Sequence, residues 1–323
     1  MTTSVITTVV DHSSDAGFRT WGAEFHAQLV AIGLTLTSDT GQINWTTVTR
    51  PASLGVGGYE IWRFNDTLQS TTPIFIKLEY GTSYQAAMPG IWITVGQGSS
   101  GAGAITGVTS SRFTTLHTAA AAGPTIVSTS TSYVSRFCYN ATLGFFGFAW
   151  KYASTTGVPN CCTAFASVFR SNDSTGAATS TTVNVLAYGI FGYGYSVANY
   201  GTMQSINYTT GLLYPQTGTL QWWGNHPFAL TSTVNGSNIS VDPVFYVTPS
   251  PVISVCLGRA LKTEVPQGTA ISATLVGSTP HTYIQVGVPF STYSFTDVTS
   301  YAGQDLVGQG LNATYTGLLM LWE

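Results

Sequence analysis

The sequence predicts a mainly β protein whose antiparallel sheets pack as a sandwich or a jelly-roll-like structure, with one short amphipathic helix near the start. Hydrophobic residues make up 44% of the 323-residue chain and aromatic residues 13%, which is enough apolar surface to form a folded core. Short apolar runs alternate with polar turn residues, as in strands of antiparallel sheets. Prolines recur from Pro215 to Pro289, and this frequency excludes long helices there.

The helix is predicted shortly after residue 10. Ser14 can cap its first turn and Gly33 ends it, and apolar residues recur between them at three- and four-residue spacing: Phe18, Trp21, Phe25, Leu29 and Ile32. This apolar stripe needs a covering surface. We expect it to cover a sheet of its own chain, in preference to the alternative in which Phe18, Trp21, Phe25 and Leu29 dock on a neighbouring subunit.

Strands are predicted from residue 34 onward. Residues 34–37 and 42–45 are separated by a turn-rich segment and indicate a hairpin. Residues 59–64, 74–80 and 91–95 indicate three further strands with polar turns between them.

The glycine-rich residues 97–107 lack the Gly-Lys-Ser/Thr ending of a phosphate-binding loop. We therefore expect a flexible loop at a sheet edge.

The best internal boundary lies at residues 109–132, which are rich in Ser, Thr and Ala and form either a linker or the start of a second sheet. It separates an N-terminal section of helix and sheet, 1–108, from a second β-sandwich section, 133–323. In the second section, residues 145–150 and 165–170 resemble core strands, and residues 318–322 predict a final strand paired inside a sheet.

Charge is scarce, since only 7% of the residues are Asp, Glu, Lys or Arg and the formal net charge is −3. No basic run offers a surface for nucleic acid, and no stretch reaches the ~20 apolar residues of a membrane helix. Residues 1–10 have neither a basic residue nor an uninterrupted apolar core, so we expect no secretory signal peptide.

Sequence motifs that would indicate catalysis or metal binding are weak. We therefore predict that the chain is not an enzyme and needs no cofactor or metal. Its cysteines have no C-x-x-C spacing, and no Gly-X-Ser-X-Gly motif presents a nucleophile. Paired carboxylates for glycoside cleavage remain an alternative, drawn from Glu60, Asp66, Glu79, Asp173 and Asp242.

Aromatic clusters suggest one binding hypothesis. Trp222 and Trp223 stand close to His226, and tryptophans beside polar groups can stack on sugar rings. We favour a structural role for the tryptophan pair. A host-glycan site built from these three residues together with Tyr193, Tyr195 and Tyr200 is the alternative.

A family resemblance rests on several segments: Tyr59-Glu60-Ile61-Trp62-Arg63-Phe64, residues 73–80, residues 89–96 and the Gly101-Ala102-Gly103 loop. With later segments such as Phe148-Ala149-Trp150 and the terminal residues 318–323, they resemble uncharacterised structural proteins of tailed bacteriophages. The resemblance implies a virion component, most often associated with the tail, baseplate or fibre, and it assigns no functional residue.

The function expected from this resemblance is assembly. Such a chain would be made in the bacterial cytoplasm and would bind copies of itself and other virion proteins. A head decoration protein and a receptor-recognition protein that binds host surface glycans are the alternatives.

Overall fold

Antiparallel strands dominate the chain, and one helix accompanies them, which confirms the predicted fold class. The computed structural model describes residues 2–10, 14–82, 89–114, 131–142, 144–153, 161–172, 178–193, 196–211, 213–214, 245–247, 252–254, 260–262, 270–273, 281–285 and 316–321.

Residues 14–114 contain the helix and a five-stranded sheet. Helix α1 spans Asp15–Ala31, and the Ser14 side chain accepts a hydrogen bond from the Gly17 amide at 3.0 Å, as its capping role predicts. The strands, in chain order, are β2 (Thr35–Leu36), β3 (Gly55–Arg63), β4 (Phe75–Thr82), β5 (Pro89–Gly96) and β8 (Phe113–Thr114). They pair in that order, and we call this the N-terminal sheet.

A nine-stranded sheet, which we call the large sheet, combines a strand from residues 2–10 with eight strands from residues 131–254. Its main path is β1-β9-β10-β11-β12-β13-β14, and a β15-β16 pair joins it at β11. The strands are β1 (Thr2–Val10), β9 (Thr131–Asn140), β10 (Phe145–Ala153), β11 (Cys161–Asn172), β12 (Ala178–Tyr193), β13 (Ser196–Asn207), β14 (Leu213–Tyr214), β15 (Phe245–Val247) and β16 (Val252–Ser254).

A four-stranded sheet, in the order β17-β20-β19-β18, completes the described chain. Its strands are β17 (Ala260–Lys262), β18 (Ala270–Ala273), β19 (His281–Gln285) and β20 (Thr316–Leu321). The final strand β20 pairs with both β17 and β19, so the predicted pairing of the terminal apolar segment is confirmed.

Helix α1 lies between the N-terminal sheet and the large sheet. The ring of Phe25 is 5.8 Å from Tyr80 of the N-terminal sheet, and 4.6 Å and 5.1 Å from Phe137 and Phe148 of the large sheet. The sheets also meet directly, with the rings of Phe64 and Tyr139 5.2 Å apart. One continuous apolar core therefore contains residues from both sides of the predicted boundary.

A buried ion pair crosses the same interface. Arg170 of β11 donates two hydrogen bonds to the Asp66 carboxylate, at 2.6 Å and 2.9 Å, and a third to the carbonyl of Thr72 at 2.8 Å. Both charged side chains are at most 2% exposed. Gly144 has a φ of +57°, and a Cβ there would lie 2.8 Å from the Arg170 side chain, so glycine makes room for the arginine.

Two local predictions need correction. Residues 34–37 and 42–45 do not form a hairpin: β2 pairs with β3, and the Ile43 amide then donates to the Tyr59 carbonyl further along the same edge. Residues 35–37 and residue 43 thus run along the same edge of β3, and residues 38–42 form a loop between them. In this loop the Gln42 side chain accepts a hydrogen bond from the Ile61 amide. The glycine-rich segment is also more regular than a flexible loop, because β6 (Gly98–Ser99) and β7 (Ile105–Thr106) form a short hairpin.

We expect Asp66→Ala to lower the free energy of unfolding by about 3–5 kcal/mol, because it leaves the Arg170 guanidinium buried without its counter-ion. Urea denaturation followed by tryptophan fluorescence measures the change. The matched control is Glu79→Ala, which removes the partner of Arg112, a half-exposed side chain, and should cost no more than about 1 kcal/mol. Equal losses in the two variants would contradict the structural importance of the buried pair.

Candidate functional site

Glu60 of β3 is the centre of the most concentrated polar cluster in the part of the chain that the structure describes. It is 2% exposed, yet four side chains bind its carboxylate. Oε1 lies 2.7 Å from His26 Nδ1 and accepts from Trp45 Nε1 at 2.9 Å. Oε2 accepts from Trp62 Nε1 at 3.2 Å and from the Tyr80 hydroxyl at 2.7 Å. We call these five residues the Glu60 cluster.

Strand geometry explains how these side chains meet. Glu60 and Trp62 are two residues apart on β3, so both point to the inner face of the N-terminal sheet. Tyr80 comes from the neighbouring strand β4, where burial alternates along the strand and places Tyr80 on the same inner face.

His26 and Trp45 reach Glu60 from outside the sheet. His26 lies on α1, one residue after the buried Phe25, and its side chain is 33% exposed. Trp45 packs against Gly22 of the same helix, where a Cβ would come within 1.9 Å of the indole. Glycine in the middle of this helix therefore lets the Trp45 ring approach closely enough to reach Glu60.

The cluster is an electrostatic link between helix and sheet. The hydrogen bond to Glu60 raises the pKa of His26 above its usual 6.5, burial opposes the shift, and the negative charge of Glu60 adds to it. Burial, followed by the charge of Glu60, holds the pKa of Tyr80 well above 10, so that Tyr80 stays a neutral donor. A protonated His26 makes an ion pair with Glu60, so the strength of this link depends on pH.

A second buried carboxylate, Asp39, holds the β6–β7 hairpin onto the outer face of the N-terminal sheet. Its oxygens accept from the hydroxyls of Thr37 and Ser99 at 2.6 Å and 2.7 Å, and from the Gly103 amide at 3.1 Å. Burial alone would raise the pKa of Asp39, but hydrogen bonds from the side chains and from the backbone of Gly101 and Gly103 hold it below its usual value. Asp39 therefore acts as a fixed acceptor for this loop.

Three of the five carboxylates considered for glycoside cleavage lie in the described part of the chain, and they are dispersed there. Glu60 lies on the inner face of the N-terminal sheet, and Glu79 lies on the outer face, where it pairs with Arg112. Asp66 is bound by Arg170. Each of these three acids thus has an internal partner, while Asp173 and Asp242 lie outside the described residues.

The aromatic residues of the glycan hypothesis fall mostly outside the described part of the chain: Trp222, Trp223, His226 and Tyr195. Tyr193 and Tyr200 lie on the paired strands β12 and β13, where Tyr193 is opposite Ser196 and Tyr200 is opposite Gly189. The strand register therefore places Tyr193 and Tyr200 four residues apart along the β12–β13 hairpin. The host-glycan site stays a prediction.

The four helix residues of the docking hypothesis are at most 3% exposed, and all belong to the core of this chain: Phe18, Trp21, Phe25 and Leu29. Their apolar surface is taken up by the two sheets of the same chain.

Cys138 is a free, buried thiol, and burial raises its pKa to about 12. The strand register places Cys138 opposite Gly147, and Gly147 opposite Ser167. Cys161 and Cys162 are thus five or six positions away along β11, beyond the reach of a disulfide with Cys138.

No helix among the residues that the structure describes has the length and apolar character to cross a membrane. Those residues also contain no group of three His, Cys, Asp or Glu side chains placed to hold a metal ion.

Sequence reasoning named Glu60 only as one of five scattered acids and missed its cluster. A signal was nevertheless present, because Glu60, Trp62 and Phe64 follow one another at a spacing of two. Residues at this spacing share one face of a strand, so two large aromatic side chains indicate that Glu60 points inward.

We expect Glu60→Gln to lower the free energy of unfolding by about 2–4 kcal/mol, because the amide keeps one acceptor oxygen and turns its NH2 group toward the donors that the other oxygen bound. Thermal and urea denaturation measure the loss. Glu79→Gln is the matched control at a more exposed carboxylate and should change stability by no more than about 1 kcal/mol. A Glu60→Gln variant as stable as the parent chain would contradict the importance of the cluster.

The raised pKa of His26 predicts a pH dependence of stability. The folded state binds the proton more tightly than the unfolded state, so the stabilisation is fully present below pH 6.5 and is lost as the pH rises through the folded pKa. The free energy of unfolding measured across this range, with the His26 ring titrated by NMR, tests the sign. His26→Gln should remove this part of the pH dependence, and a parent chain that becomes more stable across the same rise in pH would contradict the assignment.

Comparison of the chain with protein-family models, with curated protein sequences and with solved structures found no match.

Proposed function

We propose that this chain is a structural protein of a tailed-bacteriophage particle, built into the tail, baseplate or fibre through contacts with its own copies and with other virion proteins. The proposal starts from the resemblance of the strand segments around residues 59–64 and 89–96 to such proteins. Physical features of the chain support an assembly role independently of that resemblance.

The distribution of charge carries the proposal. The chain has only ten Lys and Arg residues and thirteen Asp and Glu residues. Among the residues whose burial the structure describes, four charged side chains are buried and satisfied inside the fold: Asp39, Glu60, Asp66 and Arg170. The charge left for the surface is lower still than the composition suggests.

A surface with few charges favours permanent contacts. Each ion removed from water at an interface costs free energy unless it is paired there, and obligate interfaces are depleted in charged residues. A neutral β surface can therefore meet neighbouring subunits over a broad area at a low desolvation cost. Free-standing soluble proteins usually carry more surface charge, which keeps them apart.

The test is the location of the chain in particles of the phage that encodes it. Purified particles are separated into heads and tails, each fraction is analysed by mass spectrometry, and cryo-electron microscopy assigns the density. We expect the chain at structural copy number in the tail fraction. Density on the capsid lattice would instead make it a head decoration protein, and absence from the particle would overturn the proposal.

A further inference from the structure

Residues 44–51 run alongside the first half of α1, in the opposite direction to the helix, and we call this segment the strap. The amide of Arg50 donates a hydrogen bond to the Asp15 carboxylate at 2.8 Å. Further along the helix, the Arg19 side chain donates to the Val48 carbonyl at 2.6 Å. The strap is therefore fastened to the first turns of α1 through its backbone.

Trp45 fastens the other end of the strap to the N-terminal sheet. Its ring packs against Gly22 of α1, and the rings of Phe18 and Tyr80 lie 5.6 Å and 5.0 Å from it. These contacts direct its indole N–H to Oε1 of Glu60, which accepts at 2.9 Å. The strap, the helix and β3 thus meet at one buried carboxylate oxygen.

The same oxygen also binds His26. Nδ1 of His26 lies 2.7 Å from Oε1 of Glu60, and the His26 side chain is partly exposed, so the ring can exchange a proton with water. A hydrogen bond to an ionised acceptor is roughly twice as strong as one between neutral groups. Protonation of His26 offsets part of the charge on Oε1, and the indole N–H of Trp45 then meets a weaker acceptor.

We propose that the strap is a proton-controlled switch, in which protonation of His26 weakens the Trp45–Glu60 hydrogen bond and lets residues 44–51 open more readily. The coupling is reciprocal: a fastened strap lowers the affinity of His26 for its proton by the same factor by which the proton loosens the strap. Acid then has two opposite effects. It strengthens the contact between α1 and the sheet, and it loosens the strap locally.

The groups around His26 single out its own titration. Glu60 faces it from β3 and is the charged group that raises its pKa. Tyr80 of β4 donates to the other oxygen, Oε2, and burial holds its pKa well above 10. Glu24 stands two positions before His26 on the helix and points to a different side. The charged side chain of the strap, Arg50, donates to a carbonyl at the far end of the strap.

NMR of the full-length chain tests the competition directly. The His26 ring is titrated in the parent chain and in Trp45→Phe, which keeps an aromatic ring and removes the indole N–H. We expect the variant to bind the His26 proton roughly threefold to tenfold more tightly, because Oε1 keeps its full charge for the imidazolium. Trp92→Phe is the matched control, since it removes a buried indole on the outer face of the N-terminal sheet and should leave the titration unchanged.

The parent chain supplies a second readout. Between about pH 8.5 and 5.5, where ordinary carboxylates stay ionised, the Trp45 indole N–H resonance should move upfield as the pH falls and its hydrogen bond weakens. The Val48 amide bonds to the Asn44 carbonyl within the strap, and its hydrogen-exchange protection should fall by a similar factor. His26→Gln should abolish both changes. The free energy of unfolding of the whole chain should move the opposite way over the same range.

Two results would overturn the switch. One is a Trp45→Phe variant whose His26 binds its proton no more tightly than the parent. The other is strap protection that rises with acid in step with the stability of the whole chain, because the strap would then follow the global transition. If Trp45→Phe does not fold, the parent titrations of the Trp45 indole and the Val48 amide decide alone. The switch does not depend on the virion role proposed above.

Discussion

The packing of α1 between two sheets is the constraint on which the rest of the described structure depends. Phe25 contacts Tyr80 on one side and Phe137 and Phe148 on the other, so the apolar stripe of the helix packs against both sheets. Every polar group that crosses this region must then be satisfied away from water. The Glu60 cluster does so at the contact between helix and sheet, and the Asp66–Arg170 pair does so where the two sheets meet directly.

These two polar sites solve the same problem in different ways. The Asp66–Arg170 pair joins the two sheets through two hydrogen bonds between its side chains and a third from Arg170 to the Thr72 carbonyl. Glu60 instead relies on two indoles, one phenol and an imidazole, of which only the imidazole can become positively charged. The contact between the helix and the N-terminal sheet thus depends on the protonation of His26.

Sequence patterns predicted those helices and strands whose signal comes from residues within the element itself. The capped helix and the strands β3, β4 and β5 follow directly from spacing, because each periodicity reflects burial of one face of that element. Features that depend on distant partners were not accessible. The hairpin prediction at residues 34–45 failed because both of its halves pair with β3, and Asp66 and Arg170 stand 104 positions apart. Strand β1 went unpredicted since its Thr- and Val-rich sequence lacks a regular alternation, and its partner β9 lies in the other section.

The order in which the chain is synthesised gives the β1–β9 pairing a further consequence. Val10 pairs with Thr131 and Thr2 with Tyr139, so β1 leaves the ribosome more than a hundred residues before its partner exists. At the usual elongation rates this interval is roughly 6 to 25 s. The nascent chain must carry an uncharged strand rich in Val and Thr without its partner for that time, and closing so long a loop slows folding further. A chaperone that binds β1 as it emerges would shield this segment during translation, and the large sheet forms only after β9 and β10 have been made.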